Sequence, residues 1–490
     1  MQEESAYKGK KGWDVSMKKS GETDVRPFGI RDKIGYLFGD FGNDFTFLLS
    51  SSFLLKFYTD VMGVPAAVVG VIMMIARFVD AFTDVAMGRL CDRSRTLPGG
   101  KFKPWILRMS GPVAIASFLI YQSSLAGMSL GFKIGWLFVT YILWGSIFYT
   151  SINIPYGSMA SAISPEPGDR QSLSTFRSIG GTLAGLIVGA GVPMLAYTTN
   201  ADGNTILDGG RFTVIAGAFS VLAVGCYFLC YRLITERVRM EDNHRENGKK
   251  TEGNSVVDML KNAAKNRALI SIIAASVVML LAQLTMQSMA NYVYPNFYGN
   301  TTAQSASTLV MVVAMLIAAV LAKPAAERFG KAEVSVVSNL LAAGVCFVLF
   351  LIRPENVWVY VAFITICWLG LGMFSMVNWA LITDVIDYSE LKNGIREDGA
   401  VYALYSFARK LGQAAAAGVS GGLLSWIGYS EATAFEPEIT TGIYNISTLV
   451  PATGFLLLAL ILWFWYPLHK KQVEENVDAL KRKHEGEKSL

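Results

Sequence analysis

The chain has 490 residues; 52% are hydrophobic, only 17% are charged, and the net charge is +5. Soluble domains carry about 25% charged residues, so the composition argues against a soluble fold and for apolar segments that face lipid. The basic residues alternate with the apolar runs, which excludes a continuous nucleic-acid-binding face.

In chain order, residues 1–33 form a polar, Lys-rich tail. It has no apolar core ahead of a cleavage site, so no removable signal peptide is expected. A membrane span needs about 20 mostly apolar residues. Stretches of that kind fall at 34–58, 66–90, 104–126, 134–163, 172–198 and 211–234. Six more fall at 268–296, 304–326, 332–353, 357–388, 399–427 and 443–467. The expected fold is an all-α membrane protein, with twelve transmembrane helices in two six-helix bundles over 34–234 and 268–467. A polar linker over 235–267 separates the bundles, and a second tail covers 468–490. Lys and Arg crowd 8–33, 89–108, 232–267, 323–331, 392–396 and 470–483, whereas intervening loops such as 196–210 and 294–307 are nearly free of them. The positive-inside rule then puts both termini and the linker in the cytoplasm, with a bacterial inner membrane as the expected location.

Gly88–Pro104 after the second span and Ala322–Val334 after the eighth share a small residue or Pro, then acid–Arg, then Gly-Lys. The same pattern at the same place in each half fits repeated halves, as in the major facilitator superfamily. The five cysteines (Cys91, Cys226, Cys230, Cys346, Cys367) lie in or beside apolar spans and read as packing residues. The histidines, His244, His469 and His484, lie in the linker or tail, so any proton relay in the membrane has to use other groups.

A charge at mid-membrane costs about 2.5–3.5 kcal/mol on insertion scales, so each one needs a reason. The first span holds Asp40 and Asp44 on one helical face. The second holds Arg77, Asp80 and Asp84; the fifth begins near Arg177; the tenth ends with Asp384 and Asp387; the eleventh carries Arg409 and Lys410. Asp80 and Asp84 against Arg77 alone leave one carboxylate uncompensated, which lipid does not tolerate. It has to carry a proton or hold a cation. A hard cation such as Na⁺ takes oxygen ligands, which paired carboxylates and a nearby Thr hydroxyl supply. The plainer reading is a salt-bridge ladder with Arg77 that only locks helices together.

The motifs FGDFGNDF, YTDVMGV, ARFVDAFTDVAMG, GKFKPWIL, VTYILWG, YTSINIPYGS, DVIDYSELKNGIRE and YSFARKLGQA run from the first span to the eleventh. Together they resemble the glycoside–pentoside–hexuronide:cation symporters. The resemblance implies a major facilitator fold and alternating access around a central sugar site. It implies Asp80 and Asp84 as the cation pair (metal ligands if the ion is Na⁺), with Thr150 as an added contact and Thr83 where the family's melibiose branch has Asn. It implies Asp44 as the acceptor of sugar hydroxyls, beside Asn43, Tyr149 and Asn153, with Arg177 and Lys410 as pocket cations. Asp384, Asp387 and Arg396, together with Arg77, are expected in charge networks that gate the carrier.

Departures bear on specificity. The melibiose branch has an acid where this chain has Asn153, a Trp where it has Gly157, and Lys where it has Asn43. NIPYGS is similar to glucuronide and pentoside carriers, so galactoside specificity does not carry over. With those two charges gone, Arg177 and Lys410 are expected to face only Asp44. A uronide pairing with them and a neutral pentoside using Asn43 and Asn153 both fit. Trp144, Trp379 and Tyr405 are candidates for stacking on a sugar, although helix packing is the commoner role for such residues.

The expected function is cation-coupled symport of a sugar, glycoside, pentoside or hexuronide. No enzyme activity and no cofactor are expected beyond a coupling Na⁺ or H⁺. The expected partners are the solute, the ion and the lipid bilayer, with no nucleic acid, and the chain is expected to act as a monomer. A lysolipid carrier of the same fold and a membrane solute sensor without transport are the alternatives.

Overall fold

The computed structural model describes residues 26–97, 99–238, 266–393 and 398–488. The apolar runs fold as long helices, because in lipid every backbone N–H and C=O must be satisfied within its own segment. The first half contains α1 (Ile30–Asp60), α2 (Ala66–Arg93), α3 (Lys103–Ile120), α4 (Leu130–Ile163), α5 (Pro167–Ala196) and α6 (Gly209–Leu233). The second contains α7 (Arg267–Phe297), α8 (Thr301–Phe329), α9 (Lys331–Ile352), α10 (Val357–Asn393), α11 (Asp398–Trp426) and α12 (Pro437–Trp465). Among the described residues, nine of these are both long and apolar enough to cross a membrane by composition. The other three, α1, α3 and α11, pack against those nine. A two-stranded hairpin, β1 (Tyr197–Thr199) with β2 (Thr205–Leu207), joins α5 to α6, and a polar helix α13 (Lys470–Lys488) follows α12. Composition signalled neither of these last two elements.

Within the first half, α1 lies in a groove between α5 and α6. Glycines permit the approach: a Cβ on Gly180 would sit 2.5 Å from the Leu37 carbonyl oxygen. Small residues at helix contacts are the usual membrane solution, since lipid gives no hydrophobic drive for association. The two halves meet along α2 and α11, where Gly70 faces Ala417, Gly418 and Gly421.

The linker end of the first half is tied by buried acids. Asp32 is fully buried and receives Arg26 at 2.7 Å, Arg237 at 2.8 Å and the Thr235 N–H at 3.1 Å. Glu236 accepts the backbone N–H groups of Lys101, Phe102 and Lys103 at 2.7, 3.0 and 2.8 Å, which folds the GKFKP loop back onto the end of α6. At the opposite end, Lys56 is 1% exposed. It bonds Asp60 on its own helix at 2.7 Å, Asn296 at the end of α7 at 2.6 Å and the Tyr429 hydroxyl at 3.0 Å. Among the described residues, most hydrogen bonds between the halves lie at this far end, including Ala67 to Ser425 and Thr308 to Gly189. The structure is therefore closed on the side away from the linker.

Charge-assisted bonds each contribute about 1.5–3 kcal/mol. Glu236→Ala is expected to lower stability by about 2 kcal/mol, because it strands three N–H groups. Thermal unfolding in detergent checks this, and an unchanged midpoint would contradict the capping role.

Candidate functional site

Asp80 and Asp84 lie four residues apart on α2, and Ser146 and Thr150 lie four apart on α4, so each pair lines one helical face. They form two rungs. The Ser146 hydroxyl donates to Asp80 Oδ1 at 2.5 Å, and the Thr150 hydroxyl donates to Asp84 Oδ1 at 2.9 Å. The remaining oxygen of each acid meets a cation. Arg77 Nη1 approaches Asp80 Oδ2 at 3.3 Å, and Lys410 Nζ reaches Asp84 Oδ2 from α11, in the other half. Ser146 lies within a π-helical stretch of α4, Leu143–Tyr149, and Thr150 follows directly after it. Such insertions are frequent at functional sites because they re-aim the side chains on either side.

A second cluster joins α1 to α5. Arg177 Nε donates to Asp40 Oδ1 at 2.9 Å, and its guanidinium lies 5.2 Å from the centre of the Tyr156 ring. Gly181 leaves the room this needs: a Cβ there would lie 2.7 Å from Asp44 Oδ2 and 3.1 Å from Asp40 Oδ2. Asp44 has no hydrogen bond or ion pair among the described residues.

These contacts change the charge count. Asp40 pairs with Arg177, Asp80 with Arg77 and Asp84 with Lys410, which leaves Asp44 as the carboxylate without a cation. The sequence had placed the excess acid in the Asp80–Asp84 pair and had turned Arg177 and Lys410 towards Asp44. The difference arises because α5 and α11 deliver their cations across helix contacts that spacing within one helix does not reveal.

One cavity lies between the rungs and the second half. Arg77, Asp80, Asp84, Trp144, Tyr149, Thr150, Asn153, Lys410 and Gln413 line it. It thus brings five of the expected cation and solute residues (Asp80, Asp84, Thr150, Tyr149 and Asn153) together with Lys410. Tyr149 stacks on Phe47 at 5.6 Å. Two other expected residues point elsewhere. Asn43 is buried against α6, accepting a bond from the Tyr227 hydroxyl at 2.8 Å, and the Thr83 hydroxyl turns back to carbonyls of its own helix. Trp144 is buried and stacked on Tyr141, and Tyr405 is buried on Ser276 and Asn378, so both pack the interior. Trp379 lies edge-on to Tyr405 at 5.3 Å.

Asp384 accepts Lys331 Nζ at 2.6 and 2.8 Å, tying α10 to the start of α9. Asp387 follows it on α10, and Arg396 lies outside the described residues. Sequence reading missed Ser146, Lys56 and Lys331. Ser146 was signalled by its position one turn before Thr150, matching the spacing of the acids it serves. Lys56 was signalled as a charge near the end of the first span, after the apolar run that follows Asp44.

The fold is shared with solved transporters. The inward-open xylose transporter XylE from E. coli superposes with a TM-score of 0.57 at 15% identity, covering 92% of this chain and 98% of that one. This is the major facilitator fold. Residues 35–470 match the family described as MFS/sugar transport protein, and the chain belongs to that family. It is 31% identical to the uncharacterized symporter YjmB of Bacillus subtilis (strain 168), over 95% of this chain and 98% of the relative. It is 30% identical to the glucuronide carrier protein homolog of Escherichia coli (strain K12), over 91% and 94%. It is also 30% identical to the isoprimeverose transporter of Lactiplantibacillus pentosus, over 94% and 93%. The chain is a multi-pass transporter of this family in the cytoplasmic membrane, not an enzyme.

Because Arg177 is 39% exposed, removing it is expected to cost about 1–2 kcal/mol, less than the 3–5 kcal/mol typical of a fully buried pair. Arg177→Gln should destabilise more than the double change Asp40→Asn with Arg177→Gln. A thermal-unfolding cycle measures the coupling, and strict additivity would mean that the two groups do not interact.

Proposed function

We propose that the chain is a cation-coupled symporter of a sugar or glycoside working by alternating access, with the coupling ion held by the two rungs. The observation that carries this reading is the all-oxygen set formed by Asp80, Asp84, Ser146 and Thr150. Carboxylates and hydroxyls suit a hard monovalent cation, and the same carboxylates accept a proton. Among the described residues no three His, Cys, Asp or Glu side chains gather for a metal, and with Arg77 paired to Asp80 the remaining carboxylate charge matches a single monovalent cation.

Lys410 gives this site its coupling. Its ammonium occupies Asp84 from the opposite half, so it takes the place of an ion there and ties the halves together. Arrival of the ion displaces Lys410 into the shared cavity beside Tyr149 and Asn153. Ion binding thereby changes the wall that a solute meets, and solute must raise ion affinity by the same factor.

For the solute, the reading favoured by the charge count is a neutral polyhydroxyl ring. Asp44 has free acceptor capacity next to the Asp40–Arg177 pair, and carboxylate–hydroxyl bonds are short and strong. A uronide is the second reading: Arg177 is partly exposed and offers further N–H groups to a carboxylate, and one relative is named for a glucuronide.

Solute uptake by cells or proteoliposomes tests the assignment. Asp80→Asn and Asp84→Asn are expected to lose concentrative uptake, and Asp44→Ala to lose solute binding with the fold intact. Full concentrative uptake in both rung variants would remove the ion from this site. Lys410→Gln is expected to tighten ion binding, read as a larger cation-dependent rise in unfolding temperature. A smaller rise would contradict competition between Lys410 and the ion.

A further inference from the structure

A second cavity lies between the halves, farther from the linker than the carboxylates. It holds about 840 Å³ of atom-free space when the open solvent at its mouth is counted. It adjoins the solute cluster through two helices. Leu48 lies one turn beyond Asp44 on α1, Gly185 lies one turn beyond Gly181 on α5, and both line this cavity. A Cβ on Gly185 would meet Leu48 at 3.7 Å, so the two walls touch. Residues one turn apart share a face, so the cavity continues the surface that carries Asp44.

Its chemistry differs from that of the carboxylate cluster. None of its lining residues is Asp, Glu, Lys or Arg. The second half supplies amides, a hydroxyl and an indole: Gln287, Asn291, Gln304, Thr308 and Trp368. Gln304 donates to Asn291 Oδ1 at 2.7 Å, yet its own carbonyl oxygen is buried without a partner. Gln287 makes no hydrogen bond among the described residues. Buried amides with unmet bonding capacity are costly unless something completes them. Amides matched with an aromatic face are the combination that recognises an uncharged sugar ring, whose hydroxyls bond in its plane while its C–H face stacks.

We propose that this cavity is a second solute subsite, which takes the uncharged second ring of a two-part glycoside whose first ring is held at Asp44. The inference rests on the sugar-symport reading and adds a size and polarity requirement to it. It also explains why both halves line the cavity. A solute spanning the two subsites bridges the bundles, so it is enclosed only when the far side is shut.

Calorimetric titration of the purified carrier in nanodiscs tests this with two probe pairs: xylose against xylosyl-(1→6)-glucose, and glucuronate against phenyl glucuronide. In at least one pair the two-ring probe is expected to bind tenfold or more tightly than its single ring. Gln287→Leu and, separately, Gln304→Met are expected to remove most of that difference while leaving single-ring affinity within twofold. The unchanged single-ring affinity also reports that each variant is folded. Equal losses for both members of a pair, or no two-ring preference in the unmodified protein, would overturn the subsite and leave the symport reading standing. Failure of all four probes to bind the unmodified protein would overturn both.

Discussion

A carboxylate buried in a bilayer is costly unless something satisfies it, and in this protein Asp40 and Asp84 find their cations on other helices, Asp80 finds Arg77 on its own, and Asp44 is left open for a solute. Arg177 crosses from α5 to Asp40 on α1, Lys410 crosses from α11 to Asp84 on α2, and hydroxyls on α4 take the facing oxygens of Asp80 and Asp84. Each pairing fixes the rotation of two helices about their axes. The glycines that bring α1 against α5, and α2 against α11, make those distances attainable. Removing a charge from such a set leaves its partner buried and unpaired, which costs more than the pair contributed. The network therefore constrains the fold as well as furnishing a site.

The same electrostatics gives the two halves a closed far end and, deeper in, a switchable contact. At the far end, Lys56, Asp60, Asn296 and Tyr429 form a closed network with direct backbone contacts around it. Deeper in the molecule, contact between the halves includes the single cation–carboxylate rung of Lys410 and Asp84. A rung of this kind is exchangeable, because any other cation that satisfies Asp84 frees the lysine. Bistable contacts of that sort turn a small local event into movement of whole bundles. In this account the ion acts on the Lys410 rung and the solute acts on the cavities beside it.

The architecture was legible because hydropathy and basic-loop alternation are dictated by the bilayer itself. Helix bounds differ from the sequence reading by only a few residues in most elements: α1 begins at Ile30 rather than residue 34, and α12 begins at Pro437 rather than 443. The acids were legible for the same energetic reason. Their partners were not. Nothing in the spacing of Asp80 and Asp84 shows that Lys410, more than 300 residues later, completes the pair, with the separation |i−j| = 326. Asn43 and Asp44 take different directions because successive residues on a helix point about 100° apart. Asn43 accordingly turns to Tyr227. Ser146 went unnoticed because a lone serine in an apolar helix carries no energetic anomaly until an acid is placed opposite it.

The central claim is that ion and solute share the space governed by Lys410 and Asp84. The most direct measurement is reciprocal linkage in the purified carrier: solute affinity with and without saturating ion, and ion affinity with and without saturating solute. The account predicts the same factor in both directions for the unmodified protein and a factor of one for Asp84→Asn with solute binding retained. Equal solute affinity with and without ion in the unmodified protein would contradict it, as would an unchanged factor in Asp84→Asn.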